Sequence, residues 1–216
     1  MQHHFEKAVL TGLFSTALLL SGTAFAVEQG DWLARVGVGY VHPNDSSSEV
    51  TGLPGTEVTV GSAVNIDFTV AYMVTPNVNV ELLASLPFKH DIKGKGTTAN
   101  GIKIAETKQL PPTLMIDYVF NPQTNVRPYV GAGINFTTFF STDTKGPLAA
   151  VDLDLDSSWG LAVQAGIDVD INEDWFLNAS LWYMDINTQG TLGGGLGTVD
   201  VDINPYAFSL GLGTHF

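Results

Sequence analysis

From Asp31 onward, hydrophobic and polar residues alternate one by one along the chain. In the stretch from Trp32 to Tyr40, one parity reads Trp32, Ala34, Val36, Val38, Tyr40, and the other carries Arg35, Gly37 and Gly39. Between Asn65 and Val74, Ile66, Phe68, Val70 and Tyr72 oppose Asn65, Asp67, Thr69 and Ala71. The apolar parity from Trp159 to Ile171 opposes Gly160, Ala162, Gln164, Gly166, Asp168 and Asp170. A period of two with one apolar face is the signature of a β-strand whose two sides meet different surroundings. Eight such segments are predicted, at about 31–42, 58–74, 78–90, 104–120, 126–140, 159–171, 175–187 and 198–216.

The connections alternate in length. Thr75-Pro76-Asn77, the stretch Asn121 to Asn125, and Asn172-Glu173-Asp174 are short and built from turn formers. Longer loops, rich in Gly, Ser, Thr, Asp and Pro, are predicted at about 43–57, 91–103, 141–158 and 188–197. Short turns on one rim and long loops on the other describe a transmembrane eight-stranded antiparallel up-and-down β-barrel, all-β, with the short rim and both termini periplasmic. A soluble barrel of eight strands would turn its apolar face inward. Aromatic placement separates the two. Trp32 and Tyr40 bracket the apolar face of the first strand, and Trp175 and Tyr183 do so in the seventh. Eight residues in a tilted strand span roughly 20 Å, close to the apolar band of about 25 Å in such barrels. Paired aromatic girdles belong at two lipid–water interfaces.

Two places break the pattern. In the last segment, Tyr206, Phe208, Leu210, Leu212 and Phe216 share one parity, and Val199, Val201 and Ile203 take the other. A bulge or bend is predicted near Asn204-Pro205, because proline cannot donate to a ladder. Pro111-Pro112 interrupts the fourth strand in the same way.

The N-terminus changes the picture of where the chain resides. Lys7 precedes an apolar run from Ala8 to Leu20, and Ala24 and Ala26 occupy small-residue positions suited to signal peptidase. Residues 1–26 read as a cleaved signal peptide and 27–216 as the barrel domain, placed in a bacterial outer membrane. The run is too short for a spanning anchor, which needs about 20 residues. Mean hydropathy is positive, +0.16, although the net charge is −13. Apolar residues are therefore plentiful but dispersed, as lipid-facing strands require. Cysteine is absent, so a closed hydrogen-bonded wall is the expected source of stability. The negative charge argues against nucleic acid as a partner.

Chemistry beyond the wall is sparse. His42, His90 and His215 remain after processing, and none stands at a spacing that suggests catalysis or a metal set. His90 beside Asp91 is the nearest approach to an enzymatic pair; a polar strand end is the better reading, so no enzyme and no cofactor are expected. Asp152, Asp154 and Asp156 place three carboxylates on one side of an extended stretch, without the glycine turn of a calcium loop. A solvated acidic face is expected there. Parity instead sends Arg35, Asp67, Glu81, Asp117, Arg127, Gln164, Asp168 and Asn178 inward. An eight-stranded lumen has room only for side chains. Arg35 and Arg127 set against Glu81, Asp117 and Asp168 are predicted to form a closed polar plug in the periplasmic half.

Several stretches resemble the OmpW family of small outer-membrane proteins. They include Val80-Glu81-Leu82-Leu83-Ala84, Pro87-Phe88-Lys89-His90, Leu110-Pro111-Pro112-Thr113-Leu114, Arg127 through Phe140, Ser158-Trp159-Gly160 and Asn178 through Ile186. The resemblance implies a barrel that passes hydrophobic or small molecules across the outer membrane. It also implies that Leu83 and Trp182, which parity independently points inward, close the base of a hydrophobic channel open to the outside. An apolar solute halted there would leave sideways, and Pro111 and Pro112 mark the suspected lateral opening. A channel for small polar solutes such as amino acids, and a structural or adhesion barrel without transport, stand as alternatives. Expected partners are outer-membrane lipid and lipopolysaccharide, small hydrophobic solutes, and the barrel-assembly machinery through Phe216. Family members typically end in aromatic-x-Phe; Thr214-His215-Phe216 lacks the first aromatic.

Overall fold

The structure is a computed structural model that describes residues 26–96 and 100–216. The predicted signal peptide, apart from Ala26, lies outside the described residues. The strands, in chain order, are β1 (Trp32–His42), β2 (Ser46–Ser47), β3 (Thr56–Val60), β4 (Ala63–Thr75), β5 (Val78–Ser85), β6 (Phe88–Gly96), β7 (Lys103–Leu110) and β8 (Thr113–Val119). There follow β9 (Val126–Thr144), β10 (Leu153–Leu155), β11 (Ser158–Asp170), β12 (Trp175–Met184), β13 (Asn187–Leu192), β14 (Gly197–Asp202) and β15 (Tyr206–His215). A one-turn 3-10 helix, Gly146–Leu148, precedes β10.

Eight of these form a closed antiparallel barrel in which β1, β4, β5, β8, β9, β11, β12 and β15 each pair with the next and β15 returns to β1. Its short-turn rim follows the predicted chemistry. Thr75 Oγ1 accepts hydrogen bonds from the Asn77 and Val78 amides at 3.3 and 3.0 Å. Asn172 Oδ1 accepts from Asp174 and Trp175, each at 3.0 Å. Asn121 adopts φ +51°, a left-handed conformation that asparagine tolerates better than most residues. The Phe216 and Trp32 backbones exchange two hydrogen bonds, at 2.9 and 3.0 Å, which seal the chain's end to its first strand.

The outer face carries the apolar parity. Trp32, Val36, Val38 and Tyr40 are all exposed, whereas Arg35 on the other parity is 6% exposed and Glu81 0%. The inversion relative to a soluble protein is complete along the wall, as a lipid solvent dictates.

Above this band the wall divides. Most of the predicted strands break at a proline, glycine or aspartate, and their upper parts regroup. β3, β6 and β7 continue one side of the wall beside the upper half of β9. β10, β13, β14 and β2 form a separate four-stranded sheet. The loop predicted at 188–197 is therefore largely a hairpin, because Thr188, Gly190, Leu192, Val199 and Val201 bury one face on the interior while the tip is Gly-rich. The predicted bend at Asn204-Pro205 is present: Asn204 takes φ +38°, and the chain leaves the upper sheet for the barrel there.

The interior has three storeys. At the periplasmic mouth Val27, Leu33, Met73, Val119, Tyr129 and Phe176 form an apolar floor, and the Val27 amide donates to the Pro122 carbonyl at 3.0 Å. A layer of buried ionic and amide side chains follows. A larger apolar cluster then runs from Leu83, Met115 and Trp182 up to Ile92, Ile104 and Val199.

Candidate functional site

The middle storey is closed by hydrogen bonds. Arg35, on β1, donates to Glu81 Oε2 of β5 at 2.5 Å and to both oxygens of Asp168 on β11, at 3.2 and 2.8 Å. It also donates to Thr69 Oγ1 at 3.3 Å, and its guanidinium lies 5.2 Å from the Tyr129 ring centre and 5.5 Å from that of Phe176. Gln164 bridges Glu81 and Asp117 at 3.1 and 2.6 Å. Asn178 joins Asp168 to the Tyr129 hydroxyl at 2.7 and 2.9 Å. Strands from opposite sides of the barrel are thus tied across a lumen that fits only side chains. Two glycines permit this packing. A Cβ on Gly131 would fall 1.8 Å from Asp117 Oδ1, and one on Gly166 would fall 2.3 Å from the Tyr129 ring.

Arg127 takes an acid that the sequence did not single out as its partner: it forms an ion pair with Asp170, one step towards the rim, and donates to the Thr124 carbonyl at 3.2 Å. Asp168 stands directly opposite Arg127 in the β9–β11 register, but its oxygens already serve Arg35 and Asn178. Arg127 therefore leans to the periplasmic end, where Phe176 packs 5.6 Å from it. Asp170 shares the inward parity, and its role could be found only from the direction in which the long arginine side chain leans.

Leu83 and Trp182 sit immediately above. Both are buried, at 7% and 3% exposure, and both line a small cavity of about 30 Å³ together with Pro111, Gln109, Phe88 and Met184. The Trp182 indole N–H donates to Ser180 Oγ at 3.0 Å, which fixes the ring. Over this lies a cavity of about 230 Å³ lined by Val58, Ile92, Ile104, Phe139, Leu155 and Ile203. The polar side chains on its wall include His90 and Gln109. The His90 Nδ1–H donates to the Gly61 carbonyl at 2.7 Å, and burial pushes its pKa below the usual histidine range. His90 Nε2 and Gln109 Oε1 have no partner among the described residues.

The wall beside the cavity is interrupted. Pairing of β4 with β5 ends at Asp67↔Ser85, and β3 with β6 resumes at Val60↔Ile92. Between them two amide bonds remain, from Leu86 to the Ile66 carbonyl and from Gly61 to the Asp91 carbonyl, and side chains add Asn65 Nδ2 to the Pro87 carbonyl at 2.7 Å and His90 to Gly61. On the other side, β5–β8 ends at Leu83↔Thr113 and β6–β7 resumes at Phe88↔Gln109, past Pro111 and Pro112. Pro111 is buried and Pro112 faces lipid. Their carbonyls are held: Pro112 accepts the Phe136 amide at 3.0 Å, and Asn135 Nδ2 reaches both at 3.3 and 3.4 Å. Pro87, singled out only as part of a matching stretch, thus stands where the third strand loses regular pairing to both neighbours.

A family model described as the OmpW family matches residues 28–216. The chain belongs to the OmpW family. Outer membrane protein W of Vibrio cholerae serotype O1 is 42% identical over 97% of this chain and all of its own length. A protein of Pseudomonas aeruginosa, dibenzothiophene metabolism operon protein PahQ, is 29% identical over 88% of this chain and 90% of its own. The crystal structure of the outer membrane protein OprG from Pseudomonas aeruginosa is similar with a TM-score of 0.84 and 36% identity, covering 89% of this chain and 99% of that one. This OmpW-family chain is an outer-membrane barrel in contact with lipid, and not an enzyme.

Proposed function

We propose that this OmpW-family barrel takes up small hydrophobic molecules from outside the cell and releases them sideways into the bilayer. The observation that carries the reading is an apolar cavity in the upper storey, with Leu83 and Trp182 lining a smaller cavity beneath it, above a hydrogen-bonded ionic layer. A solute in the cavity finds apolar contacts and no wet path downward. Desolvating it against Arg35, Glu81 and Asp168 would cost far more than stepping into lipid. The weakest part of the wall lies at the same height, where Pro87, Pro111 and Pro112 remove amide donors from adjacent strands. The description of PahQ as a dibenzothiophene metabolism operon protein is consistent with an apolar cargo for a relative. Phe216, exposed at the end of β15, presents the terminal residue expected to engage the barrel-assembly machinery.

The test pairs two assays. Liposomes carrying the full barrel should not swell in small amino acids, and cells producing it should gain growth on a sparingly soluble hydrocarbon. Swelling without the growth advantage would instead support a polar-solute channel; neither response would support an adhesion or structural barrel.

A further inference from the structure

The chain's charge is divided between the two upper sheets. From residue 27 onward it has six lysines and two arginines, and both arginines, Arg35 and Arg127, are buried in the barrel. All six lysines fall on or beside one sheet: Lys89, Lys93 and Lys95 on β6, Lys103 and Lys108 on β7, and Lys145 on the segment that follows β9. The alternation that buries His90, Ile92, Thr107 and Gln109 on the cavity turns these lysines outward. No lysine or arginine follows Lys145. The opposite sheet carries Asp154, Asp200 and Asp202 outward instead. A protein of net charge −13 thus gathers every outward-facing basic group of its barrel domain on one face.

That face has a defined height. Lys89 follows the lipid-exposed Leu86 by three residues, roughly 10 Å along the strand. Lys108 stands directly opposite Lys89 in the ladder and continues the outward parity of Leu114, Pro112 and Leu110. The lysines therefore begin where the apolar band ends, at the level of the outer-leaflet headgroups. Three carboxylates pair with four of the six lysines, and Asp143 stands opposite Glu106 in the ladder with β9. Glu106 meets Lys89, Lys103 and Lys145 at 3.0, 2.8 and 3.5 Å, Asp91 meets Lys103 at 2.7 Å, and Glu57 meets Lys95 at 2.9 Å. Lys93 and Lys108 form no ion pair among the described residues. Like charges placed directly opposite, as in Lys89↔Lys108 and Lys93↔Lys103, work against the ladder; the carboxylates pair with Lys89 and Lys103 and leave Lys108 and Lys93 open to an external anion.

We infer that this face is a docking surface for lipopolysaccharide, with the phosphates of its lipid A seated between Lys89, Lys93 and Lys108 and its acyl chains against Leu86, Pro112 and Leu114. The chemistry fits in both parts: ammonium groups at headgroup height attract phosphate, and an apolar wall lies immediately beneath. The acidic sheet opposite would repel the same headgroup, so docking is confined to one side of the barrel.

The test uses the full barrel in nanodiscs of neutral lipid, titrated with hexa-acyl lipid A bearing both phosphates. Wild type is expected to bind it, with affinity falling as salt rises. The Lys93→Gln/Lys108→Gln variant, which touches no ion pair, should bind about tenfold more weakly. Lipid A stripped of phosphate should bind wild type as weakly as the variant binds the intact lipid. An Asp154→Asn/Asp200→Asn variant on the opposite sheet should match wild type. Equal binding of lipid A by wild type and the lysine variant, or equal binding of the phosphorylated and stripped lipids, would overturn the assignment.

Discussion

Arg35 is the residue on which the interior turns. It satisfies Glu81 and Asp168 on two other strands and stacks on Tyr129 and Phe176. Removing one partner of a buried ion pair leaves the others unpaired in a low-dielectric space, and such losses cost about 3–5 kcal/mol. Arg35→Leu is therefore expected to destabilise the barrel by that amount in urea unfolding from lipid vesicles; a loss under about 1 kcal/mol would show that the layer holds without it. His90 makes a second prediction. Burial lowers its pKa from the ordinary 6.5, so the native state binds fewer protons than the unfolded chain. Its stability is complete above pH 6.5 and declines as pH falls below that value. An imidazole titration followed by NMR should give a midpoint below 6.5. Much of this was legible residue by residue: parity alone placed Arg35, Glu81, Asp117 and Asp168 in the lumen. Parity gives a face and not a reach. The Arg127–Asp170 pair escaped it because two inward acids stood within range of one long side chain.

At the scale of elements, period two located all eight barrel strands, because lipid outside and polar groups inside make the two faces chemically opposite. It did less well above the membrane, where water lies outside and an apolar cavity inside. There β13 read as loop, since Thr, Gln and Gly dominate and only Leu192 betrays the buried face, while β14 read as the start of the last strand. Pro111-Pro112 announced itself as a pair, whereas Pro87 stood alone, and only the registers on both sides reveal that β5 and β6 part there. The β6–β7 ladder carries its own pH signature. Lys103 and Lys89 donate hydrogen bonds to Glu106 and hold its carboxyl at about 2, down from 4.5. The stabilisation it contributes is present above pH 4.5 and is lost as pH falls towards 2. A carboxyl-carbon titration should place the Glu106 midpoint near 2; a midpoint near 4.5 would mean the lysines do not gather around it in solution.

For the whole molecule, the storeys act in sequence. In the proposed function, the upper cavity collects the solute, Leu83 and Trp182 stop its descent, the Arg35 layer bars the way down, and the Val27–Phe176 floor closes the mouth beneath. The apolar floor had no sequence signal of its own, since Leu33 and Met73 share parity with polar residues and Val27 precedes the first strand. On that proposal a solute leaves through the side of the barrel. The direct test is uptake of a radiolabelled n-alkane by cells in which this barrel is the supplied route, comparing wild type with Pro87→Val/Pro111→Val/Pro112→Val. The substitutions return three amide donors to the broken ladders, and heat-modifiable mobility on gels checks that the barrel folds. Loss of most of the uptake in the folded variant is the predicted result. Undiminished uptake in the folded variant would contradict release through the wall.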